Sequence, residues 1–408
     1  MTEPQATTVP ALLDRHAGML LDVYGVLFDA RGPLPGAGAL IAELERRGTP
    51  YRIVTNDASR SQTTYSQRFA KYGIRVAPER FVTSGSLLPG FIRERGLVGA
   101  RTLVLGTADS VAFVREGGAQ ALTLPPTPPR RPADAPRAAS HGRDDTQPLF
   151  GITPDDTEPL GRADDTEPLP GELRAPAVPI PVIAPTLFGT SRPPAPIDDA
   201  RSRAETSGAA LFGTARPPAP IDDPFSRADT SDVTEKSIAA IAAAFGDVRM
   251  VRETDEIDAI AVCDDDGFDF LRGIELALSL LVRAIEAGRT PTLILPNPDL
   301  VYPKGGGDLG FTAGAIALLL EAALARRFPA RPLRFTHLGK PEPLLFTTAA
   351  KQLGLAPSDL VMIGDQLETD IAGARAAGCK AALLAGVSRW EHARDHSTIR
   401  PDYLLETL

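Results

Sequence analysis

The chain predicts an α/β fold of parallel sheets covered by helices, on three observations. Strand-length apolar runs alternate with helical patterns, two of these runs end in an aspartate at a turn, and a proline-rich middle interrupts the alternation. The strands are expected at 19–23, 51–55, 102–106, 258–263, 292–296, 333–338, 360–364 and 379–384. Helical periodicity falls between them, at 38–47, 61–72, 268–287, 312–327, 343–353 and 367–377. A chain of 408 residues is long enough for about two or three domains.

The formal charge of -9 argues against a general nucleic-acid or anionic-membrane binder, which would present a basic face. Residues 1–10 carry no basic stretch followed by an apolar run, and no run of about 18 apolar residues occurs, so a cytoplasmic protein with no membrane partner is expected. The only cysteines, Cys263 and Cys379, lie in apolar strand-like stretches and read as core residues in a reducing compartment.

Residues 125–231 hold 22 of the 39 prolines and little apolar periodicity, which predicts a disordered insertion. Asp-Asp-Thr-Gln-Pro-Leu at Asp144 is echoed by Asp-Asp-Thr-Glu-Pro-Leu at Asp155 and Asp164, and the segment from Leu187 recurs from Leu211. Two long copies without an apolar pattern cannot stack a solenoid core. The repeated Leu-Phe-Gly and Arg-Pro-Pro-Ala-Pro are candidate motifs for a protein partner.

Functional residues of parallel sheets gather at the carboxyl ends of the strands. Four polar groups are expected there: Asp22, Thr55, Lys340 and Asp365. Asp22 ends its strand two residues before Tyr24 and three before Gly25, and a carboxylate so presented can be a nucleophile, a metal ligand or both. Thr55-Asn56-Asp57-Ala58-Ser59 places a hydroxyl and amides at a helix start that suits an anion. Lys340, between Gly339 and Pro341, could neutralise both carboxylate and phosphoryl oxygens. Asp365 and Asp370 add hard oxygen ligands of the kind Mg2+ prefers.

Taken together, these segments resemble the haloacid dehalogenase superfamily, in its NagD-like, 4-nitrophenylphosphatase-like branch. The likeness extends to Thr83-Ser84-Gly85, to Asn297-Pro298-Asp299 and onward to Pro303, to 310–316 and to Pro401-Asp402-Tyr403. It implies a doubly wound, Rossmann-like parallel-sheet core of residues 1–84 and 311–408, an α/β cap of 85–124 and 232–310 that closes over the substrate, and 125–231 as an excursion from the cap. By the resemblance, Asp22 forms an aspartyl-phosphate and contacts Mg2+, Thr55 orients the phosphoryl group, and Lys340 screens charge. Asp365 ligates the metal, Asp370 supports it, and the residue at Tyr24 contributes its carbonyl. Asn56, Asn297 and Asp299 are candidates for contact with a small phosphorylated metabolite, and the cap is a candidate surface for a homo-oligomer.

One position departs from the family pattern. Tyr24 stands where such hydrolases carry a second aspartate that protonates the leaving group and then activates water. A phenol, with an ordinary pKa of about 10, is a poor base at neutral pH, so a weakly active phosphatase is expected, with Asp57 a further candidate proton source. Two alternatives stay open: a non-catalytic phospholigand- or partner-binding protein, and a 2-haloacid dehalogenase, which would not need Asp365 and Asp370 as metal ligands.

Overall fold

The computed structural model describes residues 3–29, 31–124, 249–305, 308–388, 390 and 396–408. The predicted insertion at 125–231 and its partner motifs therefore lie outside the described residues, as does the start of the predicted 232–310 segment.

Seven parallel strands form the first sheet, in the order Gln5–Thr7, Tyr403–Leu405, Lys380–Leu384, Leu360–Gly364, Gly18–Asp22, Tyr51–Thr55, Phe81–Thr83. Both of its faces are covered, which is why the strands read as continuous apolar runs. Met19 and Leu21 point into a cluster with Leu12, Leu40, Leu44 and Phe69, whereas Leu20 points into the opposite cluster with Leu345 and Phe346. Burying each such side chain contributes about 1.5–3 kcal/mol.

Six more parallel strands form the second sheet: Thr336–His337, Thr292–Leu295, Ala259–Val262, Arg101–Leu105, Gln120–Thr123, Arg249–Met250. The helices Phe270–Glu286 and Ala313–Arg327 pack on one face through Ile274, Leu281, Ile316 and Leu320. A separate hairpin, Val301–Gly305 with Asp308–Phe311, leads into the latter helix. Residues 313–338, expected with the first sheet, thus pack with the second. The run at 333–338 shortens to Thr336–His337 at the sheet's edge, where only one neighbour is available to extend it.

Elements without a sequence expectation include Val9–Arg15, Leu88–Glu94 and Ala108–Glu116, each short enough for its apolar stripe to escape a periodicity count. Among the described residues, no helix is long and apolar enough to cross a membrane.

Candidate active site at the strand ends

The chain runs outward from Gly18–Asp22 to Tyr51–Thr55 on one side and later returns to Leu360–Gly364 on the other, so the strand order reverses between these two central strands. Such a switch point opens a crevice at the carboxyl ends. Ile363 pairs with Leu21, which brings Asp22 and Asp365 to the same rim.

Asp22, Asp365 and Asp370 each turn a carboxylate oxygen into this crevice, all within 4.8 Å of one another. Lys340 crosses from the far side, its Nζ donating to Asp22 Oδ1 at 2.6 Å and to Asp370 Oδ1 at 2.7 Å. Asp370 Oδ2 accepts from the backbone N–H groups of Asp365 and Gln366, so it also shapes the loop that carries Asp365. Gly25 has φ +81°, and a Cβ there would lie 2.2 Å from Asp365 Oδ2; only glycine lets the two loops meet.

The donor set fits a hard divalent cation. Three carboxylates converge with one lysine, and Asp365 Oδ1 is buried without a hydrogen-bond partner among the described residues, the condition of an oxygen shaped for a ligand from outside the chain. Asp22, Asp365 and Asp370 are the residues that would hold it.

Burial, then Asp370, push Asp22 up to about 7, with Lys340 pulling the other way. Burial, then Asp370 and Asp22, push Asp365 up to about 8. Burial alone would lower Lys340, but the two carboxylates override it and hold the ammonium above the ordinary lysine value. Because both raised carboxylates bind protons more tightly folded than unfolded, their stabilising contribution is present at low pH and lost as pH rises through about 7 to 8. The metal-free protein is therefore expected to melt several degrees lower at pH 8.5 than at pH 6. Mg2+ should raise the melting temperature more at pH 8.5. Equal Mg2+ shifts at both pH values in thermal melts would count against a cation at these carboxylates.

Thr55 ends the neighbouring strand and Asn56 follows it, both buried. The Thr55 hydroxyl accepts from the Asp57 amide at 3.3 Å, which leaves its own hydrogen to donate. Asn56 is a brace: its Oδ1 accepts from the Lys340 amide at 2.6 Å, and its Nδ2 donates to the Lys340 carbonyl at 3.0 Å and to Asp299 Oδ1 at 2.9 Å. Both amide hydrogens of Asn56 are thus spent on the protein. Asn297 Oδ1 accepts from the Asp299 amide and closes the loop that delivers Asp299. Tyr24 is half-buried against the apolar cluster of the first sheet, within electrostatic reach of Arg60 and Tyr65.

A second polar cluster beside Thr55 was not foreseen. Asp57 Oδ1 accepts from the Ser59 amide at 2.6 Å and its hydroxyl at 2.7 Å, and Oδ2 accepts from Arg60 at 2.8 Å and Tyr65 at 2.6 Å. Burial would raise Asp57, yet these partners, led by Arg60, hold it below the ordinary carboxylate range. Asp57 is therefore a fixed anion with both oxygens engaged, and the expectation that it supplies a proton is not met. Asp264, at the end of Ala259–Val262, lies close by, pushed up to about 7 by burial and by Asp57. The signals were available: an Asp-x-Ser turn with Arg60 at the third position, and an acidic strand end in the second sheet.

Fold and site together define a doubly wound α/β protein with a carboxylate and lysine centre at its switch point. A family model described as haloacid dehalogenase-like hydrolase matches residues 19–120, and a second, HAD-hydrolase-like, matches 337–408. Over these two stretches the chain is similar to the haloacid dehalogenase-like hydrolases. It is 31% identical to a dihydroxyacetone phosphatase of Corynebacterium glutamicum over 28% of this chain and 39% of that one. To mouse chronophin it is 28% identical over 38% of this chain and 51% of the relative. The chain thus matches about half or less of the length of these curated relatives. Among solved structures, a HAD-superfamily protein from Cytophaga hutchinsonii described as a possible sugar phosphatase superposes with TM-score 0.59 at 20% identity, covering 99% of this chain and 98% of its own. The glycerol phosphate phosphatase Rv1692 of Mycobacterium tuberculosis, in complex with magnesium, gives 0.54 at 18% identity, covering 98% and 76%.

Proposed function

We propose that this chain is a Mg2+-dependent phosphomonoester hydrolase of low activity, acting on a small phosphorylated metabolite. The observation that carries the reading is the meeting of Asp22, Asp365, Asp370 and Lys340 at one switch point. The dihydroxyacetone, glycerol-3-phosphate and sugar phosphatases among its relatives support a polyol or sugar phosphate as substrate. The first-sheet unit, residues 1–84 and 339–408, serves as core in this proposal, and the second-sheet unit up to residue 338 as cap.

Asp22 attacks phosphorus; its O–P bond forms as the bond to the leaving oxygen breaks. Lys340 holds the Asp22 carboxylate in place by its 2.6 Å hydrogen bond and offsets the anionic charge. The Thr55 hydroxyl donates to a phosphoryl oxygen, and Asn56 fixes the backbone of Lys340 rather than the substrate. Asp22, Asp365 and Asp370 would hold Mg2+, which would supply charge neutralisation when bound. Water then attacks the aspartyl-phosphate and releases phosphate. Tyr24 can donate a hydrogen bond to the leaving oxygen but cannot serve as an effective base for that water, which is the reason for low activity.

Phosphate release from triose, glycerol and sugar phosphates, with and without Mg2+, tests the reading. Tyr24 favours a second one, a phospholigand-binding protein, and binding without any Mg2+-dependent release would establish that instead.

We place the protein in the cytoplasm, where its two buried free cysteines would stay reduced. A second copy is proposed to cover Val301, Leu309 and Phe311 on one face of the hairpin and Leu318 and Leu319 on the following helix. These apolar side chains are exposed and uncharged, so self-pairing meets no like-charge repulsion there. Sedimentation as a monomer at micromolar concentration would count against this pairing.

A further inference from the structure

We infer that Asp109, in the second-sheet unit, is a positioning residue for the phosphoryl-binding loop, fixing the segment that follows Thr55. The inference rests on the phosphatase reading and concerns what keeps that site in shape. Residues 56–61 join the strand Tyr51–Thr55 to the helix Gln62–Lys71 and belong to no strand or helix themselves. Such a segment is held in place by the partners of its own polar groups. Three of its residues find them at one spot, the start of the helix Ala108–Glu116. Ser110 Oγ donates to the Ala58 carbonyl at 2.8 Å, and Thr107 Oγ1 donates to the Ser59 carbonyl at 2.5 Å. Asp109 Oδ2 accepts from the Ser61 amide at 2.7 Å and from the Thr64 hydroxyl at 2.9 Å.

Thr107 and Ser110 also cap their own helix, each hydroxyl accepting from the other's amide, so removing either disturbs that helix as well. The bonds of Asp109 run instead to the first-sheet unit, at the point where the loop ends and Ser61 caps the next helix. From that anchor the bonding continues back to the phosphoryl contact. The Ser59 amide and hydroxyl donate to Asp57 Oδ1, and the Asp57 amide donates to the Thr55 hydroxyl oxygen. Packing leaves the loop little room beside this helix, since a Cβ on Gly85 would lie 2.6 Å from Phe113 and 3.1 Å from Ala58 Cα. The carboxylate centre is held by different bonds, from Lys340 Nζ and from the amides of Asp365 and Gln366. Releasing Asp109 should therefore loosen the hold on a phosphoryl group and leave the cation ligands in place.

Calorimetric titration of the full chain with inorganic phosphate in Mg2+, beside kcat/KM for 4-nitrophenyl phosphate, tests this. Asp109→Ala is expected to weaken phosphate binding and to lower kcat/KM by about tenfold each, as small misplacements of a binding group do. Mg2+ affinity, titrated in the same way, should not move. Asp109→Asn keeps an oxygen that accepts from Ser61 and Thr64 and should restore phosphate affinity to near the wild-type value. Ser110→Ala releases the Ala58 carbonyl and should weaken phosphate binding in the same direction; it carries the test if Asp109→Ala does not fold. A lower melting temperature in Asp109→Ala with phosphate affinity unchanged would make the contact merely structural and overturn the inference. Equal losses for phosphate and Mg2+, or no recovery in Asp109→Asn, overturn it too. If wild type neither binds phosphate nor releases it from the ester, the phosphatase reading falls and takes the inference with it, whereas an active wild type with unaltered variants removes the inference alone.

Discussion

Asp22→Asn is expected to lower Mg2+-dependent phosphate release by at least about a thousandfold while the protein stays folded. Asparagine matches aspartate in shape, and its Oδ1 still accepts the Lys340 hydrogen bond that Asp22 Oδ1 takes at 2.6 Å. What it lacks is the nucleophilic oxygen. Lys340 keeps its second carboxylate, Asp370 at 2.7 Å, so the ammonium is not left buried and unpaired, the situation that makes many single deletions of ion pairs costly. A melting temperature near that of wild type, measured beside the lost activity, separates chemistry from unfolding. Activity within tenfold of wild type would remove Asp22 from the reaction.

Tyr24→Asp is expected to act in the opposite direction, raising turnover of unactivated phosphate esters by about a hundredfold to ten-thousandfold, the usual worth of general acid–base catalysis. The aspartate would protonate the leaving alkoxide and later take a proton from water. Asp57 does not already do this, since its two oxygens accept four hydrogen bonds from Ser59, Arg60 and Tyr65. The substitution removes a half-buried ring from the first-sheet cluster, so some stability will be lost, and kcat should be followed at a temperature where the variant is folded. Unchanged turnover would mean that the proton comes from the substrate or from a group outside this cluster.

Sequence periodicity made the parallel sheets legible because strands buried on both faces must be apolar at every position, as 19–21 and 360–363 are. Asp22, Thr55 and Asp365 lie at or just beyond the carboxyl ends of adjacent strands, where the strand-end rule looks for functional groups, and the structure joins Lys340 to Asp22 and Asp370. Membership of the second sheet was not legible for 313–338. A helix apolar on most of its surface and a two-residue edge strand carry no mark of which sheet they will cover. Nor was the bracing role of Asn56, since a side-chain amide bonding a backbone 284 residues away leaves no local pattern. Asp264 was not singled out in the sequence, because Arg60, which neighbours it, comes from the other sheet's loop.

The most direct measurement is rapid-quench kinetics with 4-nitrophenyl phosphate, whose leaving group needs no protonation. If Asp22 is phosphorylated and Tyr24 cannot activate water, the first step is fast and the second slow. The expected result is a burst of 4-nitrophenol stoichiometric with protein, with a phosphoryl increment on the peptide containing Asp22 in the quenched chain and none in Asp22→Asn. A linear time course from the first turnover, with no phosphorylated Asp22 at any time and equal rates in Asp22→Asn, would contradict an Asp22 nucleophile.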